Sequence, residues 1–171
     1  MAIPTLFLSG SCGAGKSTIV AEIYDALAGA DIANASVDLD ALTWKWPMDT
    51  PFNRELKFKQ LAAMWPNYLA HGATRLVLAG VLQERGELVR YQAAIPGADI
   101  TVCRLTAPRA LRIARLRERM PPGPGLDWHL HRTVELEEIL VQSRAEDFTV
   151  VNDHRSPQAV AREVLTRVGW L

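Results

Sequence analysis

The chain has 171 residues, of which 49% are hydrophobic, and its 19 Lys and Arg side chains balance 19 Asp and Glu. This size suits one domain with one core, and the balanced charge indicates neither a nucleic-acid partner nor an anionic membrane. No apolar run reaches the roughly 18 residues of a transmembrane helix, and we identify no signal peptide. We therefore expect a cytoplasmic protein, in which Cys12 and Cys103 stay reduced.

The first half of the chain alternates between strand-like and helical segments. It is predicted to contain a strand at residues 3–9, a glycine-rich turn at 10–15, a helix at 16–28, a second strand at 33–38, a helix at 54–70 and a third strand at 75–80. Residues 42–53, between the second strand and its following helix, are irregular in pattern and hold two prolines and two tryptophans. This segment stands apart from the regular alternation around it.

The second half continues the same alternation. We predict a short helix at 83–94, a strand at 99–105, a helix at 108–119, a proline- and glycine-rich loop at 120–127, a helix at 130–145, a strand at 148–152 and a last helix at 156–168. Strands that alternate with helices predict a parallel sheet covered on both faces. The expected fold is a three-layer α/β/α domain with five parallel strands, spanning residues 1–171.

The turn after the first strand matches the phosphate-binding pattern G-x-x-x-x-G-K-[ST] at every fixed position. The matching residues are Gly10-Ser11-Cys12-Gly13-Ala14-Gly15-Lys16-Ser17. Inward-facing backbone N–H groups and the helix N-terminus would form an anion site here. Lys16 is expected to reach the β and γ phosphates of a nucleoside triphosphate, and the Ser17 hydroxyl to bind Mg²⁺. The predicted nucleotide-binding residues are Gly10, Cys12, Gly13, Ala14, Gly15, Lys16, Ser17 and Thr18.

Two other classes of nucleotide-binding protein fit the sequence poorly. A GTPase would normally carry D-x-x-G and N-K-x-D, and this chain has neither. A mechanical ATPase usually ends its third strand with acidic residues, whereas the segment 76–80 ends in Gly80. The pattern therefore favours a phosphotransferase.

Two further motifs accompany the phosphate loop. The second strand ends in Val37-Asp38-Leu39-Asp40, and Arg115 and Arg119 precede the proline-rich loop. With these motifs the chain resembles the small P-loop kinases of the shikimate kinase, gluconate kinase and chloramphenicol phosphotransferase group. The resemblance covers most of the chain and implies ATP and Mg²⁺ as cofactors, a lid at about residues 119–131 and an acceptor-binding region at about 38–60. It also implies that the turn 151–157 borders the adenine.

The resemblance assigns a role to each carboxylate and arginine. Asp38 would lie near Mg²⁺ and the reacting hydroxyl, as base or orienting group, while Asp40 would hold the acceptor. Arg115 would pack on the adenine, and Arg119 would reach the phosphates when the lid closes. The alternative interpretations are that the aspartates are turn or capping residues and that the arginines form a solvated helix surface.

The acceptor site is the part of the chain that the resemblance describes least. Trp44, Arg54 and Gly80 are the predicted acceptor-binding residues besides the two aspartates. An aromatic wall suits a planar or amphipathic acceptor, although Trp44 and Trp46 could instead cover the core. Shikimate kinase-like chains have three glycines after the third strand, where this chain has only Gly80, which weakens a shikimate assignment.

The sequence therefore predicts transfer of the γ-phosphate of ATP to a hydroxyl of a nucleoside, sugar-like or antibiotic acceptor, with Lys16, Asp38 and Arg119 as catalytic residues. One alternative is a nucleoside monophosphate kinase, which would not need Asp38 as a base. Another is a regulatory module that binds ATP and hydrolyses it slowly or not at all. The sequence identifies neither the acceptor nor an oligomeric state.

Overall fold

Five parallel strands form the centre of the computed structural model, which describes residues 2–171. The strands are β1 (Ile3–Ser9), β2 (Asn34–Asp38), β3 (Arg75–Gly80), β4 (Ala98–Thr106) and β5 (Phe148–Val151). Their order in the sheet is β2-β3-β1-β4-β5, and every neighbouring pair is parallel. The predicted number, direction and succession of strands are therefore confirmed.

Six α-helices connect and cover the strands. They are α1 (Lys16–Gly29), α2 (Arg54–Ala70), α3 (Leu88–Ala94), α4 (Arg109–Arg119), α5 (Pro124–Ser143) and α6 (Pro157–Arg167). Short 3-10 turns lie at Ala41–Thr43, Pro51–Asn53 and Arg85–Glu87. Across residues 2–171, none of the helices combines the length and the apolar character needed to cross a lipid bilayer.

The core consists of two layers, one on each face of the sheet. Alternate residues of a strand point to opposite faces, so Phe7 of β1 packs with Phe58 and Trp65 of α2, whereas Leu8 packs with Ile19 of α1 and with α6. Strands buried on both faces read as continuous apolar runs, which is why their positions could be predicted. The three-layer α/β/α architecture is thus confirmed.

The proline-rich loop before α5 is shorter than the sequence predicts. The structure begins α5 at Pro124, so only residues 120–123 remain non-helical between α4 and α5. Proline is well tolerated in the first turn of a helix, because the N–H group that it lacks would have no intrahelical partner there. Three prolines in one segment indicated a loop, but the last of them starts a helix. Most of the segment expected to form the lid is therefore helical.

All five parallel strands end at the same edge of the sheet, and this edge positions the candidate site. Ser9 ends β1, Asp38 ends β2 and Gly80 ends β3. In open α/β sheets, ligands bind in the crevice outside the carboxyl ends of the strands. The phosphate loop and the Asp38 carboxylate accordingly meet at this edge.

Candidate active site

The phosphate loop joins the buried β1 to α1 in a tightly packed turn. Gly13 and Gly15 have positive φ angles of 76° and 95°, a conformation that favours glycine. At Gly13 a side chain is also excluded by contact, because a Cβ there would lie 2.7 Å from the carbonyl oxygen of Arg112. Ser11 and Ala14 are fully buried. The loop backbone is therefore held against the protein with little room to move.

The Lys16 side chain folds back over the loop. Its Nζ donates hydrogen bonds to the carbonyl oxygens of Gly10 (2.8 Å) and Ser11 (3.2 Å). Burial lowers the pKa of the ammonium, an effect that the nearby Asp38 and Asp40 carboxylates partly oppose. An anion at the loop would supply stronger acceptors than two neutral carbonyl groups. The position of this cation suits it to bind phosphate oxygens.

Asp38 lies beside the first turn of α1. The Ser17 hydroxyl donates a hydrogen bond to Asp38 Oδ2 at 3.0 Å, and the Asp40 backbone N–H donates to Asp38 Oδ1, also at 3.0 Å. The carboxylate is exposed to solvent and oriented from two sides. Mg²⁺ prefers oxygen ligands and is usually held by one or two protein groups together with waters and substrate phosphates. The Ser17–Asp38 pair fits that requirement.

The two predicted arginines of α4 lie in different environments. Arg115 is half-buried and donates hydrogen bonds to the carbonyl oxygens of Gly13 (3.4 Å) and Asp153 (3.2 Å), and burial lowers its pKa. It thus connects the phosphate loop to the turn after β5. Arg119, one helical turn later, is exposed and lines the cleft beside the loop. Only Arg119 is free to change position without breaking contacts to the loop.

Arg112, on the same helix as these two arginines, is buried behind the loop. Its Nη1 donates to the Ala107 carbonyl oxygen (2.6 Å) and lies 3.3 Å from a Glu137 carboxylate oxygen, and its Nε donates to Thr133 Oγ1 (3.2 Å). Arg112 is four residues before the buried Leu116 and shares its helix face. This four-residue spacing from an apolar position was the feature of the sequence that indicated burial of Arg112. The other arginines of the helix suggested the opposite, a surface exposed to solvent.

Thr133 and Glu137, both on α5, connect this arginine to the phosphate loop. The Thr133 hydroxyl donates to the Cys12 carbonyl oxygen (2.7 Å), and Ser11 Oγ donates to Glu137 Oε2 (3.2 Å). We call the set Arg112, Thr133 and Glu137 the loop-support network. Sequence reasoning missed both α5 residues, because a contact between positions more than 120 apart leaves no local pattern.

Asn152 supports the loop from the side of β5. It is 5% exposed, and its Nδ2 donates a hydrogen bond to the Ala14 carbonyl oxygen at 2.8 Å. A Cβ at Gly15 would lie 2.3 Å from the same nitrogen, so the glycine makes this close approach possible. The sequence indicated only that this turn borders the nucleotide, through backbone groups. The structure shows that its asparagine side chain contacts the loop.

The remaining predicted residues are distributed around a cleft of about 810 Å³. Cys12, Ser17, Asp38 and Asp40 line it near the loop, as does Gly80, which pairs with Ser9 at the end of β1. Trp44 and Arg54 line the part formed by residues 43–57, which we call the acceptor end. Burial raises the pKa of the Cys12 thiol. Thr18 is exposed in the first turn of α1.

The predicted acceptor-binding residues differ in how much they are constrained. Trp44 and Trp46 are 88% and 84% exposed, so neither covers the core. Arg54 forms an ion pair with Glu87 at 2.9 Å. At Gly80, a Cβ would lie 2.8 Å from the Leu39 side chain. Packing against Leu39 is therefore a second reason for a glycine here, besides its position in the cleft. The cleft is also lined by residues that the sequence did not assign individually, among them Phe52, Lys57, Trp128 and Arg132.

Comparison with known proteins finds similarity in structure only. No protein-family model matches the chain, and no curated protein matches it significantly in sequence. Among solved structures, shikimate kinase from Bacteroides thetaiotaomicron has a TM-score of 0.64 and 15% identity, covering 98% of this chain and 99% of its own. A gluconokinase from Sinorhizobium meliloti 1021 has a TM-score of 0.62 and 18% identity, covering 99% and 94%.

A third neighbour is the APS kinase CysC of Mycobacterium tuberculosis, described in complex with AMPPNP and APS. Its TM-score is 0.61 at 16% identity, and the match covers 98% of each chain. Identities this low concern the fold, and they do not carry a substrate from one protein to another. Over nearly its whole length, this chain shares the three-layer α/β/α fold of these three kinases.

Proposed function

We propose that this protein transfers the γ-phosphate of ATP to a hydroxyl group of a small molecule. The observation that carries the proposal is the 3.0 Å contact between Ser17 and Asp38, where the phosphate loop meets the 810 Å³ cleft. A carboxylate at this place can accept the proton of an acceptor hydroxyl. A protein that only binds nucleotides would not need such a group. The structural neighbours are kinases, and one of them is described in complex with AMPPNP, which supports the same proposed function.

The nucleotide would be held by the phosphate loop. The backbone N–H groups at the start of α1 and the Lys16 ammonium would bind the β and γ phosphates. Lys16 would exchange its two carbonyl partners for phosphate oxygens. Ser17, with Asp38 beside it, is the residue that would hold Mg²⁺, and the ion would neutralise charge on the phosphate oxygens.

In the transfer step, the acceptor oxygen bonds to the γ-phosphorus while the bond from that phosphorus to the β–γ bridging oxygen breaks, and ADP leaves. The Asp38 carboxylate accepts the hydroxyl proton and later releases it to water. Both Asp38 oxygens already accept hydrogen bonds, so the group is oriented before the acceptor binds. Arg119 lines the same cleft, and closure of the lid at residues 119–131 would bring its charge to the transferring group.

The proposal is tested by measuring ADP release in the presence of nucleosides, nucleoside monophosphates, polyols and hydroxyl-bearing antibiotics. Stimulation by hydroxyl compounds is the expected result. Stimulation by nucleoside monophosphates alone would indicate a nucleotide kinase, and a slow rate that no compound changes would indicate a regulatory module.

The Asp38→Asn variant tests the role of the carboxylate. We expect kcat to fall by roughly 10²–10⁴-fold, because general-base catalysis contributes about that factor, while the Kd for ATP stays within about threefold. Asp99→Asn is the matched control, because Asp99 is exposed near the start of β4, at the opposite edge of the sheet. A normal kcat in Asp38→Asn would reject the proton-accepting role.

A further inference from the structure

The acceptor end of the cleft exposes three aromatic side chains to solvent. Trp44 is 88% exposed, Phe52 60% and Trp128 47%, and all three line the cleft. Large apolar side chains that stabilise a fold are usually buried. A cluster of exposed aromatic rings in a concave site is typical of ligand recognition.

Two of these rings meet across the cleft from different parts of the chain. Phe52 lies in the 3-10 turn before α2, and Trp128 lies in the first half of α5. Their ring centroids are 6.3 Å apart with an interplanar angle of 48°. This distance is within the range over which aromatic rings interact. We call Phe52 and Trp128 the aromatic pair.

The backbone at Phe52 is held in a conformation that a phenylalanine rarely adopts. Phe52 and Asn53 have φ angles of 57° and 45°, although neither is glycine. Such conformations cost free energy and persist only where the surrounding structure maintains them. Here the strain places an apolar ring in solvent and not in the core, so it does not serve packing.

The Asn53 side chain maintains this conformation. Asn53 is 2% exposed, and its Nδ2 donates hydrogen bonds to the carbonyl oxygens of Thr43 and Lys45, both at 2.8 Å. Its Oδ1 accepts a hydrogen bond from the Asp49 backbone N–H at 3.1 Å. Three partly buried hydrogen bonds thus close the irregular segment on itself and present Phe52 to the cleft.

The cationic groups at this end of the cleft already have partners. Arg54 pairs with Glu87 at 2.9 Å, Arg132 pairs with Glu135 at 2.7 Å, and Lys57 donates a hydrogen bond to Tyr91 Oη at 2.9 Å. The partners of Arg54 and Arg132 are carboxylates, with which an anionic acceptor would have to compete, whereas the partner of Lys57 is neutral. An anion would also be repelled by the carboxylates of Glu55 and Glu87, which line the cleft. An anionic acceptor is therefore disfavoured.

From these contacts we infer the class of the acceptor: an uncharged hydroxyl compound with a planar ring, which stacks on the aromatic pair while its hydroxyl reaches Asp38. This inference rests on the proposed phosphotransferase function and narrows its substrate. A cleft of about 810 Å³ is large enough for such a molecule. The ring supplies contact area to Phe52 and Trp128, and the hydroxyl supplies the nucleophile.

The test uses pairs of compounds that share their hydroxyl groups and differ only in the planar part. Suitable pairs are uridine with methyl β-ribofuranoside, and 1-phenyl-1,2-ethanediol with 1,2-propanediol. 5-Carboxyuridine, which keeps the three hydroxyl groups of uridine and adds a carboxylate to the ring, supplies the anionic case. ADP release measures turnover, and isothermal titration with the non-hydrolysable ATP analogue present measures binding. The planar, uncharged member of each pair should have the lower KM and the lower Kd.

Phe52→Leu and Trp128→Leu test the aromatic pair itself. Each should raise the KM and Kd for the planar compounds by roughly tenfold, because loss of one aromatic stacking contact has about that effect, and should leave the Kd for ATP unchanged. Tyr24→Leu is the matched control, because Tyr24 is a 49% exposed aromatic residue on α1 that does not line this cleft. Thermal unfolding shows whether each variant is folded.

The outcomes separate the acceptor class from the proposed function. Turnover that is equal or better with aliphatic or anionic compounds, or that is unchanged in both Leu variants, would overturn the acceptor class and leave the kinase proposal standing. Binding of planar compounds that depends on the aromatic pair, without any turnover, would support the acceptor class and contradict the kinase proposal. Neither binding nor turnover with any compound would overturn both.

Discussion

The two ends of the cleft are built in different ways. At the phosphate loop, most of the proposed ligand-binding groups belong to the backbone, and buried polar side chains hold that backbone in place, among them Arg112 and Asn152. At the acceptor end, the ligand-binding groups are side chains, and Trp44 and Phe52 are mostly exposed. The first end is supported by α4, α5 and the turn after β5, whereas the second depends on an irregular segment closed by one asparagine.

This difference would suit the two ligands proposed above. A triphosphate is bound by several N–H groups at once, so the loop must keep one shape, and buried hydrogen bonds provide that rigidity. A planar acceptor is bound mainly by contact area, which exposed rings supply without a rigid backbone at every position. We therefore expect changes behind the phosphate loop to affect stability and ATP binding together, and changes at the acceptor end to affect the acceptor alone.

The largest expected effect is at Lys16. Lys16→Ala should reduce turnover by roughly 10²–10³-fold, the cost of removing one group that stabilises charge in the transition state. Stability without ligand should hardly change or should rise, since the buried ammonium has a lowered pKa and so opposes folding in its charged form. Steady-state ADP release and urea unfolding measure the two effects. Lys59→Ala, at an exposed site on α2, is the control, and unchanged ATP affinity in Lys16→Ala would contradict the assigned phosphate site.

A smaller effect, on stability and ATP binding together, is expected at Arg112. Arg112→Met leaves the Glu137 carboxylate without its partner and should lower the free energy of unfolding by about 3 kcal/mol, as breaking a buried pair does. The Kd for ATP should rise with it, since Thr133 loses its Arg112 contact and is the group that holds Cys12. Urea unfolding and ATP titration provide the two measurements.

Two further variants distinguish this explanation from a general loss of packing. Arg109→Met changes an exposed arginine on the same helix and should be nearly neutral. The double variant of Arg112→Met with Glu137→Gln should recover part of the lost stability, because it removes the unpaired charge. If the double variant were no more stable than Arg112→Met, the charge pairing would not be the cause.

The smallest of the three effects is expected at Asn53. Asn53→Ala removes three hydrogen bonds of the irregular segment and should lower the free energy of unfolding by about 2 kcal/mol. It should also raise the KM of the acceptor while leaving the Kd for ATP unchanged, because Phe52 is no longer held in place. Asn67→Ala, which loses one exposed hydrogen bond within α2, is the control. A parallel rise in the Kd for ATP would show that the two ends of the cleft are not independent.

The sequence was sufficient to predict the parts of this molecule that depend on local pattern. Apolar runs in β1 and β3 indicated buried strands, and the glycine-rich pattern ending in Lys16 and Ser17 indicated a tight turn into α1, whose role in phosphate binding stays a prediction. Both depend on local features of the sequence, because the hydrophobic pattern of a strand and the position of a glycine can be recognised within a few residues. The start of α5 was predicted too late, because Pro124 can begin a helix as readily as it can end one.

Only the tertiary structure showed which distant side chains meet. Arg112 belonged to a basic run in sequence, yet packing places it behind the loop with Thr133 and Glu137. Phe52 and Trp128 are far apart in the chain and meet only across the cleft. Such contacts depend on how helices pack at the sheet edge. The sequence by itself determined the fold and the phosphate loop, whereas the support of that loop and the shape of the acceptor site were decided by long-range packing, which leaves no local pattern.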